Sequence, residues 1–246
     1  MTPILQTHLP YDPFNPRPLP GIAPLGADDW LRVDEAFDGQ MARREVLLSG
    51  SRDKVIALDE RARPAAEELL DMVIAAQLEK PGFVREGAAI RRPDGALVEV
   101  DRGDPMASAG RLAQEDFCLL EKCEGVLEHV LTGAVLCFPA SWSLNEKFMR
   151  PLIGIHNTVD EYDADIARRV QRLFDGVQPG RDLWRFNALW YESPELHQPR
   201  REDDRREERT AVKAGFLRSE LQTLRRLPKT GAVVFGIHTY VLGAGD

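Results

Sequence analysis

Five side chains in this 246-residue chain stand where their chemistry could be put to use. His156 lies in PLIGIHNTVDEYD, between an apolar run and the start of a helix. An imidazole so placed either packs in the core or projects into a pocket. Neutral imidazole is also the usual protein ligand for haem iron in oxygen-binding proteins. Spacing alone leaves both readings open. Arg185 and Asn187 form a polar pair among the aromatics of WRFNALWY. Strand alternation points them to the same side, which implies a polar pocket without naming a ligand. Arg218 and Glu220 lie in LRSELQTLRRLPKTGAVVFGIHTY, with Gln222, Arg225 and Arg226 close by. A helix over Phe216–Leu227 would give an apolar stripe of Leu217, Leu221 and Leu224. It would put Arg218 at the edge of that stripe, as an exposed ion pair or as a pocket cation.

Other small motifs are missing. There is no P-loop, dinucleotide fingerprint or nucleophile elbow, and Ser141 in FPASW lacks the glycines of a serine hydrolase. Cys118, Cys123, His129 and Cys137 match no compact zinc or iron–sulfur spacing. Cys118 and Cys137 sit in apolar strand patterns, where a thiol behaves as a small hydrophobe. His129 and His238 also fall in strands, with their directions open.

A formal net charge of -8 argues against nucleic acid as a partner, because a phosphate backbone needs a basic surface. It argues equally against anionic membranes. The most apolar stretch, Thr132 to Ala140, is about half the length of a bilayer-spanning helix. No signal-peptide pattern opens the chain, and three cysteines with no paired spacing point to a reducing compartment. The expected location is the cytoplasm.

These candidates need elements to hold them. The proline-rich start, LPYDPFNPRPLPGIAPL, reads as an extended arm over residues 1–27 rather than a strand or helix. Its Leu9, Tyr11, Phe14 and Leu19 imply that it lies along the surface of a single domain, residues 28–246. A helix is expected from about Arg61 to Lys80, with Pro64 in its first turn. A hairpin follows, Ile90–Arg92 and Leu97–Val100 around Pro93-Asp94-Gly95. A short helix should run to about Glu115, then strands over Phe117–Glu121 and His129–Phe138. Ser143 and Glu146 form a capping-box pattern. An amphipathic helix spans Asp160–Val177, a strand Trp184–Tyr191, the helix named above Phe216–Leu227, and a last strand Ala232–Leu242. Residues 200–209, RREDDRREER, read as a solvated loop or a docking surface. The fold class is α+β, a mainly antiparallel sheet flanked by helices.

Six strings in order carry a family resemblance: LPYDPFNPRPLPGIAPL, DDWLRVDE, VDRGDPMASAGRLAQEDFCLL, HVLTGAVLCFPASW, EKFMRPLIGIHNTVDEYD and RSELQTLRRLPKTGAVVFGIHTY. Together they resemble the haem-dependent oxidative N-demethylase family, over about Leu9 to Val241. The resemblance implies a haem-binding α subunit with a PAS-like fold. It implies oxidation of a small secondary amine such as dimethylamine by O2. Electrons would come from NADPH through flavin and iron–sulfur centres on a reductase partner. It makes His156 the iron ligand of a haem b, with Arg185 and Asn187 facing the cofactor. Arg218, or alternatively Arg185, would hydrogen-bond the oxygen, and Glu220 would pair with the substrate ammonium. Two departures stand out: RFNA with Trp190 displaced, and Leu221 where an arginine is usual. Either could touch the pocket or a partner. The alternatives are a non-enzymatic haem-binding PAS-like sensor and a haem-free interaction domain.

Overall fold

The structure is a computed structural model that describes residues 2–15, 21–26, 28–122, 128–152, 155, 164–201, 204 and 214–244. His156 and most of the 200–209 run lie outside the described residues.

Helices open the chain. α1 (Phe37–Gly50) turns Phe37, Met41, Leu47 and Leu48 inward, but also Gln40 and Arg44. A short α2 (Arg52–Val55) follows it. α3 (Arg63–Leu78) starts after a single 3-10 turn, with Pro64 in its first turn, where a missing N–H costs nothing. It buries Ala65, Ala66, Leu69, Leu70, Val73 and Ile74. α4 (Pro105–Leu112) lies against α3 and is almost wholly buried. α5 (Leu144–Lys147) follows Ser143, whose hydroxyl donates to the Glu146 side chain at 2.9 Å but makes no capping bond to the helix backbone, so the expected capping box is replaced by a side-chain pair. α6 (Ala164–Gly176) is the described part of the expected amphipathic helix.

Ten strands are described. The short β3 (Val84–Glu86), β4 (Ala89–Arg91) and β5 (Leu97–Glu99) make a separate small sheet. Its second turn is the Pro93-Asp94-Gly95 signal, with Gly95 at a φ of 82°. The others are β1 (Ala23–Pro24), β2 (Ile56–Leu58), β6 (Asp116–Glu121), β7 (Val130–Val135), β8 (Leu183–Tyr191), β9 (Phe216–Arg226) and β10 (Val233–Gly243). They form one antiparallel sheet in the order β1-β8-β9-β10-β6-β7-β2.

Two expectations are corrected. Phe216–Arg226 is a strand, not a helix, paired with β10 along its whole length and with β8 over Phe216–Leu224. Its leucines at helical spacing are overridden by burial from both sides. Ala23–Pro24, expected to be non-strand, pairs with Trp184 and Leu183. Proline fits there because an edge strand can spare a donor.

Each face of the large sheet has its own core. On one, Phe117, Leu119, Val135 and Val234 join α1, α3 and α4. A Cβ on Gly110 of α4 would stand 2.6 Å from Val135 Cγ2, so the glycine is what lets α4 seat on β7. Gly110→Ala should therefore cost about 1–3 kcal/mol in urea denaturation, by overpacking. On the other face, Cys118, Leu120, Ala134, Leu224, Val233 and Ile237 pack with Phe174 and Val177, and with partly buried Trp142, Phe148, Ile155, Val170 and Leu173. The N-terminal residues lie on the sheet as well. Leu9 and Tyr11 pack with Leu221, Tyr240 and Leu242. Tyr11 stacks on Phe186 at 4.3 Å and shares a 2.9 Å hydrogen bond with Ser219. Phe14 stays 71% exposed, and Leu19 lies outside the described residues.

Candidate functional site

Because β9 is a strand, Arg218, Glu220, Gln222, Leu224 and Arg226 all fall on one face of it. In β8, Arg185 and Asn187 sit directly opposite Gln222 and Glu220. Four of the five sequence candidates thus share one sheet surface, continuous with the α6-side apolar cluster through Leu224 and Leu183. The strand does what the expected helix could not, since a helix would have split Glu220 from Arg218.

Glu220 is the centre of this surface and only 5% exposed. Its Oε2 accepts from Asn187 Nδ2 at 3.1 Å and from Gln222 Nε2 at 3.0 Å. Asn187 Oδ1 in turn accepts the Glu220 N–H at 3.2 Å. Two amide donors on one oxygen fix the direction of the carboxylate. Arg218 Nη2 stands 3.9 Å from Oε1.

Arg218 is buried, not a surface ion pair. Nη1 donates to the Leu196 carbonyl at 2.8 Å and Nη2 to that of Phe138 at 2.6 Å. Its guanidinium clasps two loop segments and keeps only Nε unpartnered among the described residues. Arg185 is different. Its Nε is buried without a partner, and burial pulls its pKa below the usual arginine range, partly offset by Glu220. Thr239 Oγ1, opposite Glu220 in β10, is a third unpartnered polar atom on this surface.

The structure does not describe His156. Ile155 beside it packs on the apolar cluster to which Leu224 and Ile237 belong. The two sequence departures do not reach this surface. Leu221 points to the opposite face, against Tyr240 and Leu242, and Trp190 stacks with Phe14 at 6.5 Å. Among the described residues no group of three His, Cys, Asp or Glu side chains is arranged to hold a metal ion. Cys118 and Cys137 are buried free thiols, raised in pKa by burial. His129 hydrogen-bonds Gln171 at 2.9 Å.

A second polar centre escaped the sequence reading. His238 donates to Glu115 from Nδ1 and to Asp34 from Nε2, each at 3.0 Å. Gln6, Gln40 and Gln114 surround it, with Gln6 and Gln114 reaching Asp34 and Gln40 reaching the Thr239 carbonyl. Next to it, Arg44 and Asp116 form a buried ion pair at 2.6 Å. The signal was present in the strings DDWLRVDE, GRLAQEDF and GIHTY, which the fold brings together.

Fold and polar surface define an α+β protein whose charged centre is built by strands on an otherwise apolar sheet face. The chain belongs to the family described as haem-dependent oxidative N-demethylase, alpha subunit-like, which matches residues 21–244. That description carries haem dependence, oxidative N-demethylation and an α-subunit role as the family's character. No helix among the described residues is long and apolar enough to cross a membrane.

Proposed function

We propose that this protein is a haem b-binding α subunit that demethylates a small secondary amine, dimethylamine or a close relative, at the Glu220 surface. The carrying observation is a carboxylate fixed by two amides on a face that also holds three unpartnered polar atoms. The antiparallel sheet with helices packed on it agrees with a PAS-like domain over residues 28–246, and an arm over 1–27 agrees with the packing of Leu9 and Tyr11. Two buried free thiols suit a reducing, cytoplasmic setting.

The residues present fit a haem. Leu224, Phe235, Ile237 and Cys118 make the neighbouring part of the same sheet face apolar, as the surroundings of a macrocycle need to be. On the same sheet face, Arg185 has a buried Nε with no hydrogen-bond acceptor among the described residues. His156, which follows Ile155, would hold the haem iron. Haem supplies the oxidation, in which amine, O2, two electrons and two protons give the demethylated amine, formaldehyde and water. The electrons come from a reductase subunit with flavin and iron–sulfur centres, and the 200–209 charge run is a candidate dock for it.

The chain's own part is electrostatic. Glu220 neutralises the substrate ammonium through Oε1, while Asn187 and Gln222 hold Oε2 and fix the direction of the carboxylate. Arg218, already engaged with the Phe138 and Leu196 carbonyls, acts as a positioning residue. Its two carbonyl bonds fix the rim of the pocket.

Reconstituted protein is expected to show a Soret band that His156→Ala loses or shifts. With a chemical reductant it should release formaldehyde from dimethylamine. Glu220→Gln should keep the Soret band and raise the KM for the amine by tenfold or more, the loss of one charge-assisted contact. Haem binding without formaldehyde would replace the enzyme with a haem-binding sensor, and refusal of haem would replace both with an interaction domain.

A further inference from the structure

Arg185 stands apart from the other arginines of the sheet and its neighbours. Arg44 and Arg225 each have a carboxylate, Asp116 and Asp182. Arg92 has Asp94 and the Arg111 carbonyl. Arg218 has two carbonyls, and Arg226 takes the Phe174, Val177 and Gly231 carbonyls, two of them at the C-terminal end of α6. Arg185 has no hydrogen-bond acceptor among the described residues, although its Nε is fully buried. A buried guanidinium N–H without an acceptor is a costly feature, because it has been taken from water with nothing in exchange.

The charge balance of the surface says what is missing. On the facing positions of β8, β9 and β10, three arginines (Arg185, Arg218 and Arg226) meet one carboxylate, Glu220. One Glu220 oxygen is already taken by Asn187 and Gln222. The surface therefore has room for an anion at Arg185. Neither a cationic amine nor neutral O2 would compensate it. Position narrows the choice further. Arg185 is only half-buried and lies on β8, whose outer neighbour is the two-residue edge strand β1. Glu220 lies one strand further in and is more deeply buried. The arginine without an acceptor thus lies toward the edge of the sheet rather than at its centre. A planar guanidinium there matches a carboxylate in a two-point contact.

We propose that Arg185 binds a propionate carboxylate of the haem, and that this contact sets which edge of the macrocycle faces β8. The proposal rests on the haem-binding reading above and assigns Arg185 to the cofactor's acid groups rather than to oxygen.

The test separates the two. The apo-protein and its Arg185→Leu and Arg185→Lys variants are titrated with haem and with haem whose two propionates are methyl esters, following the Soret band. Transfer of bound haem to excess apomyoglobin gives the off-rate. Thermal midpoints and far-ultraviolet circular dichroism of the apo forms report folding independently. The unaltered protein is expected to prefer the free acid by about tenfold or more, the worth of one charge-assisted pair. Arg185→Leu should lose most of that preference and release haem faster, and Arg185→Lys should retain part of it. An equal preference for the acid in Arg185→Leu would overturn the proposal, as would equal binding of acid and ester by the unaltered protein. Should Arg185→Leu fail to fold, an Arg185→Lys variant with a reduced preference for the acid and a faster off-rate would support the proposal, and one with the unaltered preference and off-rate would overturn it. If the unaltered protein took up neither compound, the haem reading itself would fall, an outcome distinct from the others.

Discussion

Asp116→Ala is expected to lower the unfolding free energy by about 3–5 kcal/mol, the usual cost of stripping one partner from a buried ion pair. The carboxylate serves three donors at once. Oδ1 accepts from Arg44 Nη1 at 2.6 Å and from the Cys137 N–H at 2.8 Å, and Oδ2 accepts from the Phe138 N–H at 2.8 Å. Arg44 is fully buried, donates to the Gln114 carbonyl at 2.7 Å and lies over the Phe138 ring. Alanine would strip the guanidinium of its carboxylate and leave two backbone N–H groups without acceptors in a dry interior. A double variant, Asp116→Ala with Arg44→Met, removes the stranded charge but not the stranded N–H groups, so it should recover part of the loss and not all. The consequence reaches the Glu220 surface. Asp116 fixes the backbone at Phe138, and the Phe138 carbonyl is one of the two that hold Arg218. Urea denaturation measures the first effect. A change below about 1 kcal/mol for the single variant would mean that water reaches this pair.

The elements that could be read from the sequence are those whose inward face is apolar throughout. α3 shows Leu69, Val73 and Ala76 on one side and a proline at its start, and the small hairpin shows its turn residues. α1 was not assigned, and the reason is visible in its inward face: Gln40 and Arg44 interrupt Phe37, Met41 and Leu47. Those two polar residues are paired with groups some 70 to 200 positions away, a fact that no local periodicity holds. β9 was read as a helix because Leu217, Leu221 and Leu224 repeat at helical spacing and its residues are good helix formers. In the sheet Leu217 and Leu221 share one face while Leu224 lies on the other. A central strand is buried on both sides, which erases the alternation that would have marked it. The Pro-Lys-Thr-Gly turn at Pro228 to Gly231, with Gly231 at a φ of 76°, was the usable signal for a hairpin. At the candidate site, strand alternation placed Arg185 and Asn187 together, and the motifs pointed to Arg218 and Glu220. The role of Gln222 was not legible, because it depends on the cross-strand register that sets Arg185 opposite Gln222 and Asn187 opposite Glu220.

The second large effect is expected from pH and from His238→Gln together. Both imidazole nitrogens donate to carboxylates, so the ring carries two protons. Burial alone would depress its pKa. The hydrogen bonds and charges of Asp34 and Glu115 outweigh that and hold it at about 9, against an ordinary 6.5. Arg32 and Tyr240 also stand around the cluster: the Arg32 N–H donates to Glu115 at 2.7 Å, and the Tyr240 ring lies 4.7 Å from the imidazole. A raised folded-state pKa contributes stability that is complete below the unfolded value and is lost as pH rises through the folded one. The window is therefore about pH 6.5 to 9, and the loss across it should be roughly 3 kcal/mol. Asp34 has the opposite sign. Burial would raise it, but the hydrogen bond from His238 prevails and holds it at about 2, so its contribution is present above the ordinary 3.8 and is lost as pH falls through 2. His238→Gln offers one donor group where the imidazolium offers two and a charge. It leaves Asp34 and Glu115 facing each other uncompensated, at a cost of about 3–5 kcal/mol at neutral pH. The decisive readout is the shape of the profile rather than the loss itself. Unfolding free energy measured from pH 6 to 10 should fall for the unaltered protein and stay nearly flat for His238→Gln over the same range. Parallel profiles would show that the imidazole is neutral in the folded chain. Because Gln6 ties the N-terminal residues to Asp34 and to the Thr239 carbonyl, the same titration should free the first residues of the chain, and proteolysis near Leu9 at pH 9 would report it.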